Sequence, residues 1–141
     1  TMAWTIASKI VRKVVVIDGN HSVLEASALM AEEFVGSVVI TSASKITGIF
    51  TERDLMMRVV GKKRDPERAR IKDVMTKDVV TVSPKDTANY CLNLMKEHRC
   101  RHLLVFDGDE FVGIVSLRDM VALLMEEKEA LIAYLHQYIS S

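Results

Sequence analysis

Gly48-Ile49-Phe50-Thr51-Glu52-Arg53-Asp54-Leu55 returns further along the chain as Gly113-Ile114-Val115-Ser116-Leu117-Arg118-Asp119-Met120. The two stretches are related by a shift of 65 residues, from Gly48 to Gly113. The same shift lays Val14-Val15 on Val79-Val80, Met30 on Met95, Glu32 on Glu97, and Val38-Val39-Ile40 on Leu103-Leu104-Val105. An internal repeat constrains architecture before any local assignment, because each copy is one supersecondary unit that packs against its twin. Residues from about 14 to 60 and from about 79 to 125 are therefore two copies of one unit.

Within the first copy, Val14 to Ile17 is β-branched throughout and predicts a short buried strand. Asp18-Gly19-Asn20 is a turn. Ser22 is placed to cap a helix to about Phe34, with Val23, Ala26, Met30 and Phe34 on one apolar face. Gly36 is the expected residue just past its end. Ser37–Thr41 and Ile46–Phe50 then form a hairpin around Ser42-Ala43-Ser44-Lys45, and Thr51 caps a helix to about Val60. The second copy repeats the order. Val79–Val82 is a strand, and Ser83-Pro84-Lys85-Asp86 opens a helix to about His98 with Pro at its first turn. Ala88, Leu92 and Met95 form the face of that helix. Leu103–Phe106 and Phe111–Val115 form a hairpin across Asp107-Gly108-Asp109, and Ser116 caps the last helix.

The last helix outruns its counterpart, reaching Tyr138-Ile139, with Met120, Leu124, Leu131, Leu135 and Tyr138 broadly on one side. That face needs a partner: the Met2–Ile10 segment or a second chain. The connector from Gly61 to Arg70 carries five basic and two acidic residues. It reads as a solvated linker, with a phosphate-contacting loop as the alternative.

Bulk properties narrow the function classes. The chain has 141 residues, 49% hydrophobic, and zero formal net charge. That suits one compact module with an ample core, and no global field recruits nucleic acid or an anionic membrane. No apolar run approaches the ~20 residues of a membrane span. Neither a signal peptide nor a disulfide is expected, so the setting reads as cytoplasmic with Cys91 and Cys100 reduced. His98, Cys100 and His102 alternate at a helix-to-strand junction, where their side chains would not converge on zinc. His21 and His136 read as surface residues. No Walker loop, GxSxG or HExxH is present, so catalysis by the chain is not expected.

The repeated Thr51-Glu52-Arg53-Asp54 and Ser116-Leu117-Arg118-Asp119 is also a capping-box pattern, as is Ser83 to Asp86, so the letters alone indicate only helix starts. Position adds weight. Both tetrads follow directly on an apolar strand, and a helix start at a strand's carboxyl end is where open sheets bind ligands. A hydroxyl there can donate to a phosphate, and a carboxylate one turn on can accept a ribose diol. Arg53 and Arg118 turn away from the preceding strand, as outward ion pairs or as phosphate contacts.

With Val74-Met75-Thr76-Lys77-Asp78-Val79-Val80-Thr81-Val82 at the entry to the second copy, the chain resembles a pair of cystathionine-β-synthase (CBS) domains over about residues 8–127. The resemblance implies an α/β (α+β) fold of two pseudo-twofold-related β-α-β-β-α repeats packed through their sheets, with an extended C-terminal helix. It divides the chain into repeat 1 (8–61), a linker (62–74), repeat 2 (75–127) and a helical extension (128–141). Similar modules bind AMP, ADP, ATP or S-adenosylmethionine as regulatory ligands between the repeats and often form dimers. No cofactor is required.

Carried over residue by residue, the resemblance implies Asp119 as ribose ligand and Ser116 as phosphate ligand of one cleft, with Asp54 and Thr51 in those roles in the other. Val14 and Val15 would line the first adenine pocket and Val79 and Val80 the second, with Ile114 and Ile49 on the adjoining strands. At the second strand's start, Ser37 in one copy stands where Arg101-His102 supply charge in the other, so two inequivalent sites are expected. Which cleft the basic pair serves stays open, and Val11-Arg12-Lys13 departs from Met75-Thr76-Lys77. The expected function is a regulatory module sensing adenosine-containing ligands and acting on a partner or dimer. An interaction scaffold with empty clefts is the alternative. Nucleic-acid binding through Lys62-Lys63-Arg64 is disfavoured by zero net charge and the lack of a stacking aromatic there.

Overall fold

A computed structural model describes residues 4–140. The contacts divide the chain into two compact units. One is continuous, from Val14 to Val79; the other joins the residues up to Lys13 with those from Val80 onward.

In the continuous unit, β1 (Val16–Asp18) runs parallel to β2 (Ser37–Ser42), which pairs antiparallel with β3 (Lys45–Thr51). Helix α1 (Val23–Glu33) connects β1 to β2, as a parallel pair requires a crossover. Ser22 and Glu25 form a reciprocal capping box at its start. Val23, Ala26 and Met30 lie in a buried cluster with Val38, Ile40 and Phe50. Burying side chains of this size contributes ~1.5–3 kcal/mol each. The first strand lies two residues later than expected at its start, and Val16 is exposed, because β1 is an edge strand with neighbours on one side only.

Phe34 is corrected from the apolar face: it is 97% exposed, at φ 55°. The chain leaves the helix there in a left-handed turn, and the N–H groups of Phe34 and Val35 donate to the Met30 carbonyl. Phe34 and not Gly36 thus makes the left-handed exit, which its side chain tolerates at ~1–2 kcal/mol. Arg99, its twin at the second copy, does the same at φ 53°.

The segment after Thr51 is not one continuous helix. A single turn, α2 (Glu52–Asp54), widens into a π-helical turn over Leu55–Val59 and tightens to a 3-10 turn over Val60–Lys62. The wide turn buries Val59 while leaving Met56, Met57 and Val60 exposed. Gly61 follows from it, because a Cβ there would meet the Met56 carbonyl oxygen at 2.7 Å. The connector from Gly61 to Arg70 leads into a short helix, α3 (Ile71–Val74), whose Ile71 and Val74 join the same core. The Pro66 and Ala69 carbonyls accept from Leu24 and Val23, so the connector is tied to the start of α1 and is not a free solvated linker.

In the second unit, β4 (Thr81–Val82) is parallel to β5 (His102–Asp107), and β5 is antiparallel to β6 (Glu110–Ser116). Helix α4 covers Ala88–His98, and α5 covers Leu117–Ser140. The expected helix start at Ser83 is corrected. Residues 83–86 close as a turn, with the Asp86 carboxylate accepting from the Ser83 N–H (2.8 Å). The Asp86 carbonyl accepts from Ile6, and Thr87 bridges to Thr5. The cap is Thr87, whose hydroxyl accepts from the Tyr90 N–H. Thr87 is the register twin of Ser22. Cys91, not Leu92, is the fully buried member of the α4 face, beside Ala88 and Met95. Its thiol is pushed up to about 11 by burial, with the Asp86 charge adding to the effect.

The N-terminal segment supplies part of the partner that α5 needs. A 3-10 turn over Ile6–Lys9 buries Ile6 with Met120 and Leu123, and Lys9 pairs with Glu126 at 2.9 Å. The Trp4 N–H donates to Glu127. Met2, also expected in this contact, lies outside the described residues. Beyond Lys128, Leu131, Leu135 and Tyr138 are exposed. Among the described residues, no helix is long and apolar enough to cross a membrane.

Candidate functional site

Each unit ends an apolar strand in a hydroxyl residue that starts a helix, and places a carboxylate three residues on. In the continuous unit, Thr51 and Asp54 form a full capping box: the Thr51 hydroxyl accepts from the Asp54 N–H, and Asp54 Oδ2 accepts from the Thr51 N–H at 3.0 Å. The first helical N–H, that of Glu52, is taken by the Gly36 carbonyl. In the second unit the Ser116 hydroxyl donates to Asp119 Oδ2 (3.0 Å) and accepts from the Asp119 N–H (3.2 Å). The Leu117 N–H donates to the Arg101 carbonyl, so the twin geometry holds.

Each three-stranded sheet gains a partner on its last strand. Thr76 bridges Ile49, exchanging hydrogen bonds of 3.0 and 2.9 Å. Val11 bridges Ile114 through bonds of 2.9 and 3.0 Å. These close approaches explain the glycine that opens both repeated stretches. A Cβ on Gly48 would meet the Thr76 carbonyl oxygen at 2.5 Å, and one on Gly113 would meet the Val11 carbonyl oxygen at 2.3 Å.

The bridging residues differ in chemistry, and this matters most at the carboxylates. The Thr76 hydroxyl donates to both Asp54 oxygens, at 3.0 and 3.2 Å. Arg58, on the π turn, lies with Nε 3.5 Å from Asp54 Oδ1 and donates from Nη1 to the Met75 carbonyl at 2.9 Å. Asp54 is 6% exposed. Thr76 and Arg58 were not among the residues expected at the site. The shift of the repeat could have marked them: it sets Thr76 against Val11 and Arg58 against Leu123, places where one copy is polar and the other aliphatic. Asp119 is partly exposed, and among the described residues its carboxylate accepts from Ser116.

The remaining expected residues are distributed as follows. His102 lies directly opposite Ser116 in the β5–β6 ladder, with Arg101 exposed just before it, so the basic pair stands on the Asp119 corner of its own unit. Ser37 lies opposite Thr51 in the equivalent ladder. The Val15 carbonyl accepts from the Val39 N–H and the Val80 carbonyl from the Leu104 N–H, each beside the second strand of its own unit. Val14 and Val79 are half-buried neighbours of these. Ile49 and Ile114 are buried, at the bridge positions. Arg53 is exposed, with Nε 3.3 Å from the Met57 sulfur, and Arg118 is exposed. No cluster of three or more metal-ligating side chains exists among the described residues.

Comparison with known proteins agrees with this geometry. The family model of the CBS domain matches twice, at residues 7–61 and 71–126. The CBS domain-containing protein YhcV of Bacillus subtilis is 28% identical over 118 residues, covering 84% of each chain. A structure described as a putative signal-transduction protein with CBS domains from Burkholderia ambifaria superposes with TM-score 0.75. It is 37% identical, with 78% of this chain and 81% of that one covered. A CBS-CP12 protein from bloom-forming cyanobacteria, described as hexameric, gives TM-score 0.79 at 27% identity, covering 86% of this chain and 68% of that one. Two matching family segments, a repeat in one constant register, and the shared fold establish that this chain belongs to the CBS-domain family and carries two CBS domains.

Proposed function

We propose that the chain is a regulatory module that binds an adenosine-containing ligand (AMP, ADP, ATP or S-adenosylmethionine) and passes its occupancy to a partner or to a second copy. Tandem CBS domains are regulatory modules that often bind nucleotides. The observation that carries the finer reading is the Asp119 corner. A partly exposed carboxylate stands one turn into α5, with the Ser116 hydroxyl at the helix start and Arg101-His102 beside it. The carboxylate suits the two hydroxyls of a ribose, and the hydroxyl and guanidinium suit phosphate. Ile114 on β6, at the bridge to Val11, supplies an apolar neighbour for a base. Regulation requires only that the ligand favour one arrangement of the molecule over another.

A thermal-shift panel of AMP, ADP, ATP, S-adenosylmethionine, NAD and GTP tests the reading. A ligand at ~100 times its dissociation constant adds about 2.7 kcal/mol, a rise of several degrees. Adenine ligands should raise the midpoint and GTP should not, and Asp119→Ala should remove the rise. An undiminished shift in Asp119→Ala refutes the ribose assignment.

One observation favours a second reading, a self-associating scaffold. From Ala130 onward, α5 exposes Leu131, Tyr134, Leu135, Tyr138 and Ile139 on a stretch with no Lys, Arg, Asp or Glu. A homodimer built on this helix should be lost when the chain is cut after Lys128. An unchanged mass in sedimentation of the truncated chain counts against it.

A further inference from the structure

Asp54 and Asp119 occupy one position of the repeat, yet their surroundings differ in kind. A carboxylate offers about four lone-pair positions. Those of Asp54 face the Thr51 N–H, the Thr51 hydroxyl, the Thr76 hydroxyl and the Arg58 guanidinium. A ribose diol needs two positions and must compete with the donors already set there. At the Asp119 corner, Val11 holds the same ladder place as Thr76 but has no hydroxyl to give. Leu123, the counterpart of Arg58, is buried in the core of its unit. There the carboxylate keeps capacity beyond Ser116, and the chain supplies a basic pair on the adjacent strand in place of an internal arginine.

Building on the adenosine reading above, we propose that the two corners are used in sequence. Asp119 is the open site and takes the first ligand. Asp54 is latched by Thr76 and Arg58, and it admits a second ligand only when both release it. The latch joins three segments of one unit: the β3 end, the π turn and the residues just after α3. Opening it frees the Met75 carbonyl from Arg58 and the Thr76 side chain from Asp54, and so loosens the bridge that Thr76 makes with Ile49. A second ligand would therefore report a higher concentration and act on a different part of the chain from the first. Two thresholds follow from one repeated motif.

The repeat itself suggests the variants. Thr76→Val/Arg58→Leu gives the Asp54 corner the residues of its twin. Isothermal titration with AMP should find one site per wild-type chain, lost in Asp119→Ala and retained in Asp54→Ala. The double variant should bind a second AMP at least tenfold more tightly than the wild-type chain does. Val11→Thr, at an exposed position, should weaken the first site by offering Asp119 an internal donor. Loss of AMP in Asp54→Ala, weaker binding in the double variant, or two equal sites in the wild type each overturns the proposal. In the first two cases Thr76 and Arg58 are ligand groups, not a latch. Absence of binding of AMP, ATP and S-adenosylmethionine by every chain refutes the adenosine reading instead. The latch is then decided by a thermodynamic cycle of Asp54→Ala and Thr76→Val in urea. Destabilisation of the double variant well below the sum of the singles supports it, and additive effects overturn it.

Discussion

Gly113→Ala should be among the most damaging single-methyl additions this fold can receive. The added carbon would lie 2.3 Å from the Val11 carbonyl oxygen, 2.8 Å from Ile10 Cγ2 and 3.0 Å from the Val11 carbonyl carbon. Two of those three atoms are backbone, which cannot swing aside as a side chain can. The N-terminal segment must move away from β6, and both hydrogen bonds between Val11 and Ile114 go with it. At ~1 kcal/mol per bond and ~1–3 kcal/mol for overpacking, the loss is about 3–5 kcal/mol. A chain of this length unfolds with an entropy near 0.3 kcal/mol/K, so the melting midpoint should fall by about 10–17 °C. Gly36→Ala is the control. Its Cβ would meet only the end of the Glu52 side chain, at 3.4 Å, and the midpoint should move by no more than about 2 °C. Calorimetry of the two variants beside the wild type decides it. A Gly113→Ala midpoint within 3 °C of the wild type would show that the bridge is not a constraint of the fold, and would refute the close-approach account of both repeated glycines.

Further outcomes follow from the same geometry. Thr87→Ala should destabilise by ~1 kcal/mol through loss of the α4 cap, whereas Ser83→Ala should cost less; urea midpoints of the pair distinguish a cap at Thr87 from one at Ser83. Cys91 and Cys100 should differ in a thiol-labelling assay. Both thiols are raised by burial, Cys91 to about 11, and Cys100 is the more exposed, so Cys100 should react first in the native chain and both together in denaturant. The same shift makes stability pH-dependent. The folded Cys91 stays protonated above its ordinary value of 9.0, where the unfolded thiol ionises, so stability is fully present below pH 9 and falls as pH rises towards 11. Cys91→Ala should lose that part of the decline, and an unchanged alkaline slope would remove the assignment.

The sequence by itself determined the repeat, the hairpins, the helix–strand order and the two tetrads. These are local patterns written twice, and a periodic apolar face or a strand that ends in a capping residue carries its own signal. Even the true cap of α4 was present in the register, because Thr87 is the twin of Ser22. What sequence could not settle were matters of competition between segments. Ser83 carries a capping pattern, but Ile6 and Thr5 fix the following residues in a turn. Phe34 fits the apolar period, but the helix unwinds through it. The candidate site shows the same division more sharply. Thr51 to Asp54 and Ser116 to Asp119 share one pattern, so the sequence assigned them one role. Tertiary structure brought Thr76 and Arg58 to one carboxylate and only Val11 and Leu123 to the equivalent places beside the other. A carboxylate's capacity for a ligand depends on which donors already occupy it, and those donors come from segments that meet only when the chain has folded.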